Sequence, residues 1–137
     1  MWWIYALLSA VFAALTAIFA KIGIKNVDSD LATAIRTVVI LFIAWLIVFF
    51  KGSINSISTL TKTNLIFLGL SGLATGLSWI FYFKALQIGK VSQVAPVDKL
   101  SVAIALILSV LFLKEVLTLK IAIGAILIIA GTIILIL

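Results

Sequence analysis

The sequence predicts an all-α integral membrane protein with five transmembrane helices, forming a single domain over residues 1–137. Three observations predict it. Of the 137 residues, 66% are hydrophobic and 10% charged, against about half and about a quarter in a soluble domain. Five apolar runs reach the about 20 residues that a helix needs to cross about 30 Å of hydrocarbon. Short polar turns separate the runs.

The first run covers residues 2–20 and is followed by a polar turn over 21–30. It is expected to be a retained span rather than a signal peptide: no basic residue precedes it, and it is too long for the apolar region of one. Trp2, Trp3 and Tyr5 near its start suit an interfacial anchor. The second run covers 31–50, and the loop over 51–64 is the longest and most polar in the chain. The third covers 65–86, and Gly89 sits in the turn that follows, over 87–92. The fourth covers 93–113 and ends at Lys114-Glu115, and the fifth covers 119–137.

An odd number of spans puts the two ends of the chain on opposite sides of the membrane. With the first end inside, the inside turns hold Lys51, Lys62, Lys114 and Lys120, and the outside turns hold Lys21, Lys25, Lys84 and Lys90. Arg36 and Lys99, just inside the second and fourth helices at their outside ends, stand apart from this count. Four against four in the turns gives the positive-inside rule no clear vote, which permits insertion in both orientations. The net charge of +6 does not mark a nucleic-acid binder, because the basic residues are scattered singly, without a basic face or arm. There is no cysteine and no histidine, and the four carboxylates are scattered. No disulfide, metal site or cofactor is expected. Nothing reads as a nucleophile with its base, so an enzyme is not expected either.

Polar residues recur at spacings of three and four, which places each set on one helical face. Tyr5, Ser9, Ala13, Thr16 and Ala20 line the first helix; Ser71, Thr75, Ser78 and Tyr82 the third; Asp98, Ser101, Ala105 and Ser109 the fourth. Two readings stand. Small and hydroxyl residues let membrane helices approach closely and bond across, above all at Gly72 and Gly76. Alternatively the stripes face a shared substrate cavity, with Trp79 and Tyr82 as aromatic walls beside Tyr5, Ser9, Thr75, Ser78 and Ser101. The fifth span holds only Thr132 and the glycines Gly124 and Gly131 as interruptions, and reads as lipid-facing or dimer-packing.

The stretch "VAPVDKLSV" holds the only proline and an Asp-Lys pair between apolar runs. Counting about 20 residues back from Lys114 puts a membrane edge near Val94. Pro96 then falls in the first turn of the fourth helix, where its missing N–H is harmless. Asp98 lies about one turn, or about 6 Å, inside. Neighbours on a helix point about 100° apart. Asp98 is therefore expected to pair with Arg36, at comparable depth on the second helix, while Lys99 snorkels away. Arg36, Asp98 and Lys99 are candidates for a gate or ion pair.

The stretch "APVDKLSVAIALILSVLFLKEVLTLKIAIGAILIIAGTIIL" resembles the last two helices of EamA-like domains of the drug/metabolite transporter superfamily. Pro96, Asp98-Lys99-Leu100-Ser101, Lys114-Glu115, Gly124 and Gly131 carry the likeness. "FYFKALQIGKVS" is similar to the family's third-helix end, and "LLSAVFAALTAIFAKIGIKNVDSDLATAIRT" to its first hairpin. The resemblance implies a ten-helix transporter built from two five-helix repeats of opposite orientation around a central cavity, of which this chain supplies one. It therefore implies an antiparallel homodimer of dual topology, moving small organic metabolites across the plasma or inner membrane by alternating access. The partners implied are a second copy, a small-molecule substrate and the bilayer, with no nucleic acid. Two alternatives stay open: a half-transporter that needs a different, oppositely oriented subunit, and a non-transporting membrane subunit or assembly factor. The chain departs from the proton-coupled four-helix exporters of the superfamily, which carry a glutamate in the first helix; here that helix has no acid.

Overall fold

A computed structural model describes residues 1–137 as helices joined by short turns, without a strand. The helices are α1 (Trp2–Gly23), α2 (Ser29–Phe50), α3 (Lys62–Ile88), α4 (Val91–Asp98), α5 (Leu100–Leu113) and α6 (Leu119–Ile136), with a 3-10 turn over Ser53–Thr59. Together, α4 and α5 make one span, so five spans are long and apolar enough to cross a membrane. All five predicted spans are present. Several run longer than their apolar runs because polar residues such as Ser29, Lys62 and Gln87 continue the helices beyond the hydrocarbon. The chain divides into two compact units, residues 19–87 and residues 1–18 with 88–137.

In the unit 19–87, the turn between α1 and α2 is set by local chemistry. Asn26 adopts a left-handed conformation, φ 63°, which Asn tolerates better than most residues. Asp28 then caps α2: its Oδ1 accepts hydrogen bonds from the backbone N–H groups of Asp30 and Leu31, both at 3.0 Å. Ser29 and Thr33 are buried on α2. The hydroxyls of Thr33 and Thr37 donate to the carbonyls one turn back, of Ser29 and Thr33, each at 2.8 Å. Their polarity is thus consumed within the helix. The end of α3 is tied to this turn twice. The Lys21 ammonium donates to the Leu86 carbonyl, and Gln87 Nε2 donates to the Val27 carbonyl at 2.8 Å. Between these ties lie Leu86, at 0% exposure, and Phe83, at 2%. Beyond α2, Gly52 takes φ 65° to turn the chain into the 3-10 segment, a conformation that glycine adopts without penalty.

In the other unit, α6 packs on α4 and α5, and Thr132 of α6 is buried. Its hydroxyl donates to the Ile128 carbonyl at 2.8 Å and reaches the Pro96 carbonyl at 3.3 Å. One face of the fifth span is thus an intrachain contact, while most of its residues are exposed. Pro96 also departs from expectation. The fourth span begins at Val91, with the Gln93 and Val94 N–H groups on the Lys90 carbonyl. That makes Pro96 the sixth residue of α4 and an interior one. Proline there removes the bond to the Ser92 carbonyl and crowds it, which weakens the helix locally. At Lys99 the helix tightens toward 3-10 bonding while staying right-handed. The Lys99 N–H is shared between the Ala95 and Pro96 carbonyls, at 3.3 and 3.0 Å, and Val102 bonds back three residues to Lys99. The count from Lys114 missed this start because the polar residues before Val94 are helical. Asp98 lies about 10 Å beyond the first residue of the span.

The glycines expected to mediate close helix packing do not do so within the chain. A Cβ added at Gly69, Gly72 or Gly76 would meet nothing within 4 Å.

Two outcomes follow for stability in mixed micelles. Thr132→Val is expected to lose about 0.6 to 1.7 kcal/mol, the range for hydrogen bonds between membrane helices. Thr75→Val removes a hydroxyl bonded only to Ser71 of its own helix and should stay within about 0.5 kcal/mol; equal losses would contradict the assigned tie. Asp28→Ala is expected to lose about 1 kcal/mol through the cap, with Asp28→Asn close to neutral.

Candidate functional site

Arg36 is the eighth residue of α2, about 10 Å beyond its first. A charge at that depth needs a partner or a wet cavity. Its partners are aromatic. Trp79 and Phe83 are four residues apart on α3 and so share a face. The guanidinium carbon lies 4.1 Å from the Trp79 ring centroid and 5.1 Å from that of Phe83. Both distances are within cation–π range. Tyr82 interacts electrostatically with Arg36, and its ring meets Phe83 edge-to-face at 6.3 Å. The ring faces balance the charge of Arg36 but do not supply acceptors for all its N–H groups. Arg36 Nη1 is buried and has no hydrogen-bond partner, an exception to the usual rule for buried donors.

At the tightened turn of the fourth span, Lys99 Nζ lies 3.2 Å from Asp98 Oδ2 and donates to it. This corrects the expectation that Lys99 points away from Asp98. The angular argument assumed a regular α-helix. Lys99 is instead the junction of α4 and α5, at φ −70° and ψ −10°, and its long side chain folds back across that junction. Asp98 and Lys99 are both partly exposed, so the pair adds little to stability where water reaches it.

The predicted cavity residues divide between the two units. Trp79 and Tyr82 stand beside Arg36, half-buried. Thr75 and Ser78, in the same unit, are exposed, as are Tyr5, Ser9 and Ser101 in the other. A cavity of about 270 Å³ opens between Ala44, Trp45 and Val48 of α2 and the 3-10 segment. A second, of about 520 Å³, is lined by Lys21, Ile24, Lys25, Asn26 and Gln87. Neither contains any of the predicted cavity residues.

Phe83 was not among those residues, and Thr132 was not recognised as a tie to Pro96. The i, i+4 spacing of Trp79 and Phe83 was the available signal for the first. For Thr132 the signal was a lone hydroxyl within an apolar span, which in lipid needs an acceptor.

The family model of the EamA-like transporter family matches residues 1–137. An uncharacterized transporter from a Sinorhizobium species, encoded in the cobO 3′ region, is 50% identical over 134 residues, which cover 98% of this chain and 95% of that protein. An uncharacterized protein of Methanocaldococcus jannaschii is 37% identical over 132 residues, covering 96% of this chain and 93% of that protein. No solved structure matches the chain. With five spans in place and the family's model matched from end to end, the chain is a multi-pass membrane protein that belongs to the EamA-like transporter family.

Proposed function

We propose that the chain is a secondary transporter of small organic solutes that works as an antiparallel homodimer, by alternating access, in the plasma or inner membrane. The observation that carries this reading is the odd number of spans combined with the eight turn lysines standing four on each side. Two oppositely oriented copies of such a unit rebuild an inverted repeat, the arrangement that supports alternating access around a site at the membrane midplane. Three features support it. The Sinorhizobium relative, matched over 95% of its length, is named a transporter. The face of α3 that carries Gly69, Gly72 and Gly76 is open within the chain, and small residues on an open face suit close approach of another helix. Tyr5, Ser9 and Ser101 in one unit and Thr75 and Ser78 in the other are exposed on the single chain, polar surface that a second copy and a substrate would use.

The junction at Lys99 gives the gate. Asp98 and Lys99 are held together where α4 meets α5, and an antiparallel pair carries one such point toward each membrane face. Arg36 is a further charge at gate depth. A heteromeric half-transporter gains nothing from the even division of the turn lysines.

The chain has no cysteine, so introduced thiols report contacts cleanly. Asn64→Cys and Lys84→Cys lie near opposite ends of α3. Mixed in one membrane, the two variants are expected to cross-link to each other and not to themselves; cross-links of 64 to 64 would establish a parallel pair and overturn the reading. In vesicles, Asp98→Asn is expected to lower solute flux at least about tenfold, one such factor being worth about 1.4 kcal/mol. The reversed pair Asp98→Lys with Lys99→Asp should recover part of that flux, and no recovery would remove the ion pair from the gate.

A further inference from the structure

We infer that Arg36, resting on Trp79 and Phe83, is the recognition point for a monoanionic substrate head, a carboxylate on an apolar or aromatic body. This rests on the transporter reading above and deepens it to a substrate class.

The argument starts from the unpaired donor. A guanidinium stays charged at any working pH and carries five N–H donors in a planar fork. Ring faces stabilise its charge, but they leave Nη1 buried without an acceptor. A donor in that state favours any ligand that brings an oxygen to it. The match to a carboxylate is geometric, since its two oxygens take two parallel N–H bonds from the fork. Charge count selects among oxyanions. In the unit 19–87 Arg36 is the single cation within the interior of a span, the lysines standing at span ends and turns. One fixed charge balances a monoanion, whereas a phosphate monoester carries nearly two charges at neutral pH.

The acids argue the same way. Of the four carboxylates, Asp28 is occupied as a cap. Asp30 lies in the first turn of α2, and Glu115 lies after α5. Asp98 is paired with Lys99. A cationic solute would therefore meet no free counter-charge within the spans, and an anion would meet Arg36.

In the resting state the guanidinium is stacked on Trp79 and Nη1 is enclosed. Binding therefore requires the fork to lift from the ring toward the ligand, and Trp79 then offers its face to the ligand's body. Arg36 is half-exposed as a residue, which leaves a side from which a ligand enters. The shared chemistry, a monoanionic oxyanion, also describes the phosphodiester of an anionic lipid. The depth of about 10 Å from the start of α2 favours a free solute.

The test is calorimetric titration of the full chain in nanodiscs of zwitterionic lipid, with benzoate, benzyl alcohol and benzylammonium as matched probes. Benzoate is expected to bind saturably and at least about tenfold more tightly than either other probe. Arg36→Gln should remove that preference, and Arg36→Lys, a charge without the fork, should fall between. Circular dichroism confirms that each variant is helical, and the ranking of the three probes on the unmodified chain tests the idea without any variant. Benzylammonium binding as tightly as benzoate, no saturable benzoate binding, or Arg36→Gln matching the unmodified chain would each overturn the inference. Loss of benzoate binding when phosphatidylglycerol is added to the discs would assign the site to a lipid phosphodiester and overturn the solute. Flux into vesicles separates this inference from the reading beneath it. Benzoate bound but never moved would sink the transporter and leave the anion site. Another solute moved with no benzoate bound would sink the anion site alone.

Discussion

In hydrocarbon a polar group has no water to fall back on, and this constraint orders the whole molecule. The backbone meets it by being helical throughout the spans. The hydroxyls of Thr16, Thr33, Thr37, Thr75 and Thr132 meet it by donating to carbonyls one turn back. Where a helix ends or tightens, a side chain is supplied: Asp28 caps α2, Lys21 takes the carbonyl of Leu86, and Thr132 reaches Pro96. Asp98 has Lys99. Against that background, the unpaired Nη1 of Arg36 is an exception, and it is the one on which the proposed anion site rests.

The same constraint explains why so few residues are buried within one copy. Ala17, Ala20, Ile24, Phe83, Leu86 and Ala103 are the buried apolar residues, because lipid is as good a solvent for Leu and Ile as another helix is. The driving force for association then falls to small residues, hydroxyls and shape. The open glycine face of α3 and the exposed hydroxyl stripes are features that a second copy would use. An antiparallel pair also places its two Asp98–Lys99 junctions toward opposite faces, so one sequence serves both gates.

Hydropathy made the five spans legible, since length and apolarity alone decide them. It erred where polar residues are helical. The turns of Val91 to Val94 look like a loop by composition, so Pro96 read as a helix start. The tightening at Lys99 could not be seen because angular arguments assume a regular α-helix. The search for a partner of Arg36 looked for an acid, the partner that Coulomb's law suggests. The observed partners are the faces of Trp79 and Phe83, whose attraction to a cation comes from a quadrupole and leaves no mark in a count of charges. The stripes were legible as faces.

The central claim, that one five-span chain serves as both halves of an inverted pair, is tested most directly by topology. Reporters that are active on only one side of the membrane can be placed in the loop over 51–64 and after residue 137. The account predicts that each reporter position gives activity on both sides in comparable amounts, with copies divided between the two orientations. A single orientation shared by all copies would contradict it.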